Sequence, residues 1–313
     1  MTTTHRDSKV VNATVSFIRR AACALALFGV LSAAAAQGLP ANAQEALERG
    51  EAAMQEALAT YPAHYPDRPL WQQAFREGRT AVALAPGRVE PLAFLAEAYS
   101  RANWHGPAVA TWQEFFAAGG VLTDEQATLF ADSANENAFA AYQAGEPNRA
   151  AEIYALVTNY VPTNAEAHRW LGRILLETRR PQQAVAAWRS LLEIDPDAEG
   201  AEYFLQLAQA QTRWGIEAAN DFYEGIRLYE AGSLSQARNA FAAATVRNAD
   251  YALAWSWLGR VYFEQGFYED AHAAYSRALA LEPDNANYQW FTRESLRLSQ
   301  PEPAEPEDAD EAG

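Results

Sequence analysis

The sequence predicts an all-α fold built from stacked antiparallel helix pairs, and three observations support that prediction. Apolar and aromatic residues recur at helical spacing along most of the 313 residues. The same apolar pattern returns in units of 34 residues. Glycine divides most units in the middle and proline ends several of them, which separates two helices per unit. We therefore expect one extended helical array in place of two ordinary domains.

The first segment of the chain has the layout of an export signal. Four basic residues and one acid precede the apolar run 21–31, and the small residues that follow contain the cleavage pattern Ala34-x-Ala36. The apolar stretch is about 16 residues long, whereas a helix that spans a bilayer needs ~20. We predict a signal peptide over residues 1–36, cleaved after Ala36, with retention as an anchor as the alternative. Export predicts a location in the periplasm or cell envelope of a bacterium, a source that the high alanine and arginine usage also favours.

The charge balance and the lone cysteine exclude several classes of function. The net charge of −16 disfavours binding to nucleic acid or anionic membranes, whose phosphates need a cationic surface. Cys23 is the single cysteine, so the sequence holds no disulfide framework and no cysteine-rich metal site. Without residues 1–36 the chain would keep 20 basic and 39 acidic residues, a net charge of −19, and neither cysteine nor lysine. We expect no integral membrane span after cleavage.

Residues 252–285 form the most complete repeat unit. Its apolar, small and terminating residues are Trp255, Leu258, Gly259, Tyr262, Gly266, Ala271, Tyr275, Ala278 and Pro283. This pattern resembles the tetratricopeptide repeat family at each signature place. The resemblance implies a helix–turn–helix in every unit and, over the array, an α-solenoid in the form of a right-handed superhelix of antiparallel pairs.

The rest of the chain divides by the same pattern. Units are predicted at about 43–88 (degenerate), 89–122, 131–164, 165–198 and 218–251. The interval before 218 predicts an inserted helix at 199–217, and the interval after 122 predicts a helix that starts early, capped by Thr123. A capping helix is expected at 286–300, because a terminal repeat otherwise exposes an apolar face. The solenoid then covers residues 37–300, and the acidic tail 301–313 is expected to be disordered.

No arrangement of residues points to catalysis, a cofactor or a metal. His168 falls at a packing place of its unit and is predicted to be buried and structural, whereas His272 is predicted to face solvent. His64 and His105 lie in loops, outside any metal-binding pattern. The sequence lacks a nucleophile elbow, a glycine-rich phosphate loop and a zinc-protease motif. We predict a protein that is not an enzyme and takes no cofactor.

The resemblance also implies a concave groove lined by the first helix of each unit. Carried over unit by unit, the groove places hold arginine and aromatic side chains, the residue types that carry most binding energy at protein interfaces. The predicted partner-binding residues are Arg101, Phe139, Tyr142, Arg169, Arg173, Phe222, Tyr229, Arg260 and Phe263. For each aromatic ring the alternative is packing between neighbouring helices.

These features predict an exported scaffold or adaptor that binds an unidentified protein or peptide through its groove. Two alternatives stay open at this point. One is a small-ligand binder or enzyme that uses a pocket at the 199–217 insertion. The other is an adaptor subunit of a secretion, pilus or envelope assembly.

Overall fold

The computed structural model describes residues 38–300, and over that range the chain is all-α. The predicted signal peptide and the acidic tail 301–313 lie outside the described residues. Fourteen helices follow one another between residues 38 and 300. They are α1 (Ala41–Thr60), α2 (Pro69–Leu84), α3 (Val89–Arg101), α4 (His105–Ala117), α5 (Asp124–Gln143), α6 (Pro147–Tyr160), α7 (Ala165–Glu177), α8 (Pro181–Ile194), α9 (Ala201–Trp214), α10 (Ile216–Glu230), α11 (Leu234–Arg247), α12 (Ala252–Glu264), α13 (Tyr268–Leu281) and α14 (Ala286–Ser299).

The helices form two compact units that divide within α5, between Ala140 and Ala141. In the first unit α1 packs against α2, and α3 packs against α1, α2 and α4. In the second unit each helix from α6 to α14 packs against a sequence neighbour, and α9 also contacts α7. Neighbours joined by such short connections pack antiparallel.

The turn inside each repeat contains one residue in the left-handed backbone region. It is the fifteenth residue of five units, with φ angles between 56° and 79°. The residues are Asn103, Gly145, Arg179, Gly232 and Gly266. The sequence has glycine at three of these places, and the structure shows that asparagine and arginine adopt the same conformation at the other two. The left-handed residue is therefore a property of the turn and not only of glycine.

Close approach of two helices is set by a small residue facing an aromatic ring. A Cβ atom added to Gly172 of α7 would lie 2.7 Å from Cε2 of Trp188 on α8. The same conflict arises between Gly259 and Tyr275, at 2.8 Å. In both pairs the two residues are 16 positions apart, so one repeat supplies both partners. Each such ring is buried, Trp188 at 2% and Tyr275 at 3% exposure.

The early start predicted for α5 is confirmed, and its cap has the expected chemistry. The backbone N–H of Gln126 donates to Oγ1 of Thr123 (3.3 Å), and the backbone N–H of Thr123 donates to Oε1 of Gln126 (3.0 Å). This reciprocal pair is a capping box, which satisfies two of the donors that a helix N-terminus leaves unpaired.

Helices α7, α8 and α9 recur 87 residues later as α12, α13 and α14; we call these the first and second triplets. Phe204 of α9 stacks on Trp188 with ring centroids 5.0 Å apart and an interplanar angle of 16°. Phe291 of α14 stacks on Tyr275 at 4.9 Å and 9°. The helix expected as an insertion is therefore the counterpart of the C-terminal capping helix, and each covers the pair of helices before it.

Candidate protein-binding surface

The first helix of the first triplet, α7, carries three residues of a four-residue cluster, and α5, the first helix of the preceding unit, supplies the fourth. Tyr142 of α5 donates its hydroxyl hydrogen to Oε2 of Glu177 (2.8 Å), and its ring lies 5.4 Å from that of Trp170. The guanidinium of Arg173 lies 5.3 Å from the Trp170 ring centroid and 6.0 Å from that of Tyr142. Its Nε–H donates to Oε1 of Glu177 at 3.0 Å. We call these four residues cluster 1.

The same cluster is present 87 residues later, with all four residue types unchanged. Tyr229 of α10 donates its hydroxyl hydrogen to Glu264 (2.6 Å) and packs edge-on against Trp257 at 5.2 Å. Arg260 lies 5.0 Å from both ring centroids and donates its Nε–H to Glu264 at 3.1 Å. We call Tyr229, Trp257, Arg260 and Glu264 cluster 2.

Hydrogen bonding and burial shift the pKa of the tyrosine and of the arginine in each cluster. The hydrogen bond to Glu177 raises the pKa of Tyr142 above its usual value, with burial adding to the effect. For Tyr229 burial raises the pKa first and the hydrogen bond to Glu264 second. Hydrogen bonds to the two glutamates also raise the pKa of Arg173 and of Arg260. These shifts favour the neutral form of the tyrosine and the protonated form of the arginine in each cluster.

A cleft of about 730 Å³ lies beside cluster 1. Part of its wall comes from the 199–217 segment, for which the sequence left a pocket open as an alternative. Its walls come from α7, α8, α9 and the segment before α9. The lining residues are Arg169, Trp170, Arg173, Leu176, Glu177, Trp188, Glu199, Phe204 and Leu207. Arg169 donates from Nη1 to the backbone carbonyl of Glu199 (3.2 Å), which joins α7 to the segment before α9.

The other predicted groove residues fall into different surroundings. Arg101 forms an ion pair with Glu125 in the first unit. Phe139 is half-buried on α5. Phe263 is half-buried and packs edge-on against Tyr268 (5.4 Å) and Phe291 (5.7 Å).

Phe222 does not belong to an exposed groove. Its side chain is 4% exposed and lies 5.0 Å from the ring of Tyr251 and 5.7 Å from that of Phe241. Phe222 follows the alternative of packing between neighbouring helices, because its place in the unit turns inward here and Tyr251, 29 residues later, covers it. Asn135, at the same place of the unit 131–164, is also buried.

The two tryptophans are the functional candidates that the groove rules missed. Trp170 and Trp257 stand at the sixth place of their units, which is not among the groove places. Their rings complete the clusters because Tyr142 and Tyr229 reach them from the first helix of the preceding unit. The available signal was the exact 87-residue spacing of four identical residue types.

Two histidines have structural roles. His168 is 7% exposed, and its Nε2–H donates to the carbonyl of Pro162 at 3.0 Å. At the equivalent place Trp255 donates its indole N–H to the carbonyl of Ala249 at 2.9 Å, so the imidazole replaces an indole donor. His272 was predicted to face solvent, and this was wrong: it is half-buried and its Nδ1–H donates to the carbonyl of Thr292 (2.9 Å) on α14.

The first unit contains a polar cavity of about 480 Å³ that the sequence did not reveal. His64 and His105 line it together with Asp132 and Glu136. Among residues 38–300 no group of three or more histidine, cysteine, aspartate or glutamate side chains is placed to hold a metal ion. Within the same range no helix combines the length and the apolar character needed to cross a bilayer.

The repeat pattern matches known sequences at two places. Tetratricopeptide repeat profiles match residues 136–199 and residues 252–285. The first range contains all four residues of cluster 1, and the second contains Trp257, Arg260 and Glu264 of cluster 2. The chain contains tetratricopeptide repeats at these two places. No curated protein sequence matches it. The tetratricopeptide fold is typical of non-catalytic scaffolds that bind proteins or peptides.

Solved structures of other repeat proteins resemble the chain at low sequence identity. YrrB, described as a TPR protein with an unusual peptide-binding site, is 16% identical over 70% of this chain and 97% of its own, with a TM-score of 0.28. A tetratricopeptide repeat protein from Parabacteroides merdae is 13% identical over 80% and 99%, with a TM-score of 0.34. PilF from Pseudomonas aeruginosa is 16% identical over 79% and 98%, with a TM-score of 0.29.

Proposed function

We propose that this tetratricopeptide repeat protein is an exported scaffold that binds a segment of another protein through the surface formed by clusters 1 and 2. The observation that carries the proposal is the duplication: the same tyrosine, tryptophan, arginine and glutamate occur twice with the same contacts. Location in the periplasm or cell envelope is part of the proposal, supported by the sequence of residues 1–36.

Stability does not account for the duplicated ion pairs. The Arg173 and Glu177 side chains are 55% and 41% exposed, and those of Arg260 and Glu264 are 49% and 35% exposed. An exposed helical pair of this spacing contributes only about 0.3–0.5 kcal/mol. Tyrosine, tryptophan and arginine, by contrast, are the residues most enriched among those that dominate interface energies. The partly exposed clusters are better explained as contact points for a partner.

The arrangement favours a scaffold over an enzyme. The polar groups beside the cleft are bonded to one another: Arg173 and Tyr142 to Glu177, and Arg169 to the backbone at Glu199. A catalytic site needs acids, bases or nucleophiles directed at a substrate. Groups committed to mutual hydrogen bonds instead hold a fixed surface against which a partner can pack.

The binding proposal is tested by crosslinking and mass spectrometry on native envelopes with two matched double variants. Arg173→Ala with Arg260→Ala removes one cation from each cluster. Arg149→Ala with Arg297→Ala removes two somewhat more exposed cations, at 59% and 67% exposure, from other helical ion pairs. We expect the first variant to lose crosslinked partners and the second to keep them, with helical circular dichroism unchanged in both. Equal retention by both variants would contradict the assignment of the surface.

A further double variant addresses the arginines of the first triplet alone. Arg169→Ala with Arg173→Ala is expected to weaken partner binding without changing the helical circular dichroism. The export proposal has its own test, since N-terminal sequencing of the envelope-associated chain should give Gln37 as the first residue. A chain that keeps residues 1–36 and stays inside the cytoplasm would refute export.

A further inference from the structure

The two triplets differ at one position of the cleft wall. Leu176 lies in the cleft wall of the first triplet, and its counterpart 87 residues later is Phe263. The ring of Phe263 lies edge-on to Phe291, with centroids 5.7 Å apart and an interplanar angle of 82°. Phe291 is the counterpart of Phe204, which lines the open cleft. The second triplet thus places a phenyl ring against the residue that the first triplet leaves accessible.

The floor of the first cleft is also more apolar than its counterpart. Leu207 on α9 corresponds to Glu294 on α14, and Glu294 is bonded to Arg297 (2.6 Å). Phe204 and Leu207 are both half-buried and line the first-triplet cleft together with the buried Trp188. An apolar floor with partly exposed rings gains free energy when another apolar group covers it.

We infer that the cleft between α7 and α9 is a subsite for an aromatic side chain of the bound segment. This inference rests on the proposed function and specifies which residue type the partner must contain. The second triplet supplies the evidence for the occupant, because Phe263 shows that an aromatic ring packs edge-on against this phenylalanine position. Cluster 1 borders the cleft through Trp170 and Arg173, so the ring would enter beside the proposed contact surface.

The size of the cleft suits a side chain together with part of its backbone. A volume of about 730 Å³ lies within the range of ligand pockets and exceeds what a single ring occupies. Arg169 and Arg173 on the rim each use one N–H group in the bonds to Glu199 and Glu177 described above. Because a guanidinium carries five N–H groups, the others can donate to carbonyl groups of an extended segment. The ring then supplies the apolar contact and the arginines fix the backbone beside it.

Selection from a displayed library of random peptides on the full chain tests this subsite. We expect the selected peptides to share an aromatic residue. Leu176→Phe places a ring where the second triplet has Phe263 and should weaken their affinity about tenfold, the change expected when one aromatic contact is lost. Leu207→Glu reproduces the charge of the second triplet and should have the same effect without adding bulk. Leu253→Phe, at an exposed position of α12 that does not line the cleft, is the matched control and should leave affinity within about twofold.

The outcomes separate the subsite from the broader proposal. If the chain selects no peptides, the proposed function itself is refuted. If it selects peptides that lack an aromatic residue, or that bind folded Leu176→Phe and Leu207→Glu as tightly as the wild type, the subsite is refuted while peptide binding stands. A small apolar molecule that binds the cleft when no peptide does would also overturn the inference.

Discussion

Replacement of Gly172 by alanine tests whether the packing of helix pairs sets the stability of the array. The added Cβ atom would lie 2.7 Å from Cε2 and 2.8 Å from Nε1 of Trp188. Side-chain carbons do not approach so closely, so the indole ring would have to move. Trp188 has little room to do so, because it is 2% exposed and Phe204 stacks on it at 5.0 Å.

Two opposing effects determine the size of the change. Excess volume in a well-packed core costs about 1–3 kcal/mol. Alanine in place of glycine within a helix stabilises the folded state by roughly 0.5–1 kcal/mol. We therefore expect Gly172→Ala to lower the free energy of unfolding by about 1–2 kcal/mol, since the packing conflict outweighs the helix preference. For a chain of this size the thermal midpoint would fall by roughly 2–8 °C.

Thermal unfolding followed by circular dichroism measures this change, with Gly106→Ala as the control. A Cβ atom at Gly106 of α4 would meet only Nδ2 of Asn137 at 3.5 Å, an ordinary contact. The control should be as stable as the wild type or slightly more stable. In a Phe204→Ala background the cost of Gly172→Ala should shrink, because the indole ring gains space. A Gly172→Ala chain as stable as the Gly106→Ala chain would refute the reasoning.

Three more perturbations have defined outcomes. In a Glu217→Ala background, which removes the ion-pair partner of Arg179, Arg179→Gly should stabilise the chain by about 0.5 kcal/mol in denaturant titrations. The reason is that a left-handed φ of 61° costs a non-glycine residue more than glycine loses in entropy, and a destabilised variant would contradict this. Phe204→Ala should reduce hydrogen-exchange protection across α7 and α8, whereas Phe291→Ala should affect only α12 and α13; identical protection maps would argue against two equivalent capping helices. Burial raises the pKa of Tyr251 and Tyr275, so each favours its neutral form when folded. Their contribution is complete below the unfolded tyrosine pKa of about 10 and is lost as pH rises further, so the thermal midpoint should fall above about pH 10, and less steeply in Tyr251→Phe.

Much of the fold could be predicted because its signals are local. The reciprocal bonds of Thr123 and Gln126 join residues three positions apart, so the start of α5 could be placed from the sequence. The turn residues and the small residues opposite aromatic rings also act within one unit. The predicted burial of His168 is confirmed for the same reason, since its place in the repeat pattern is a packing place.

The departures from expectation concern residues whose contacts lie 20 or more positions away in the sequence, beyond the reach of a single helix. Phe222 is buried because Tyr251 covers it, and His272 is bonded because α14 places the Thr292 carbonyl beside it. The position of the inserted helix α9 could be predicted from the sequence, but its role as a cover for the preceding helix pair could not. Its equivalence to the capping helix rests on Phe204 and Phe291, whose stacking partners belong to the preceding helix pair.

By itself the sequence determined an all-α array of helix pairs, because the contacts that define one pair lie within about half of a 34-residue unit. Only the tertiary structure decided which residues form a surface. Tyr142 and Glu177 are 35 residues apart, as are Tyr229 and Glu264, so each cluster exists only where two successive first helices meet. Local hydrophobic spacing specifies each helix, but the exposure of a ring depends on the neighbouring helices, which that spacing does not record.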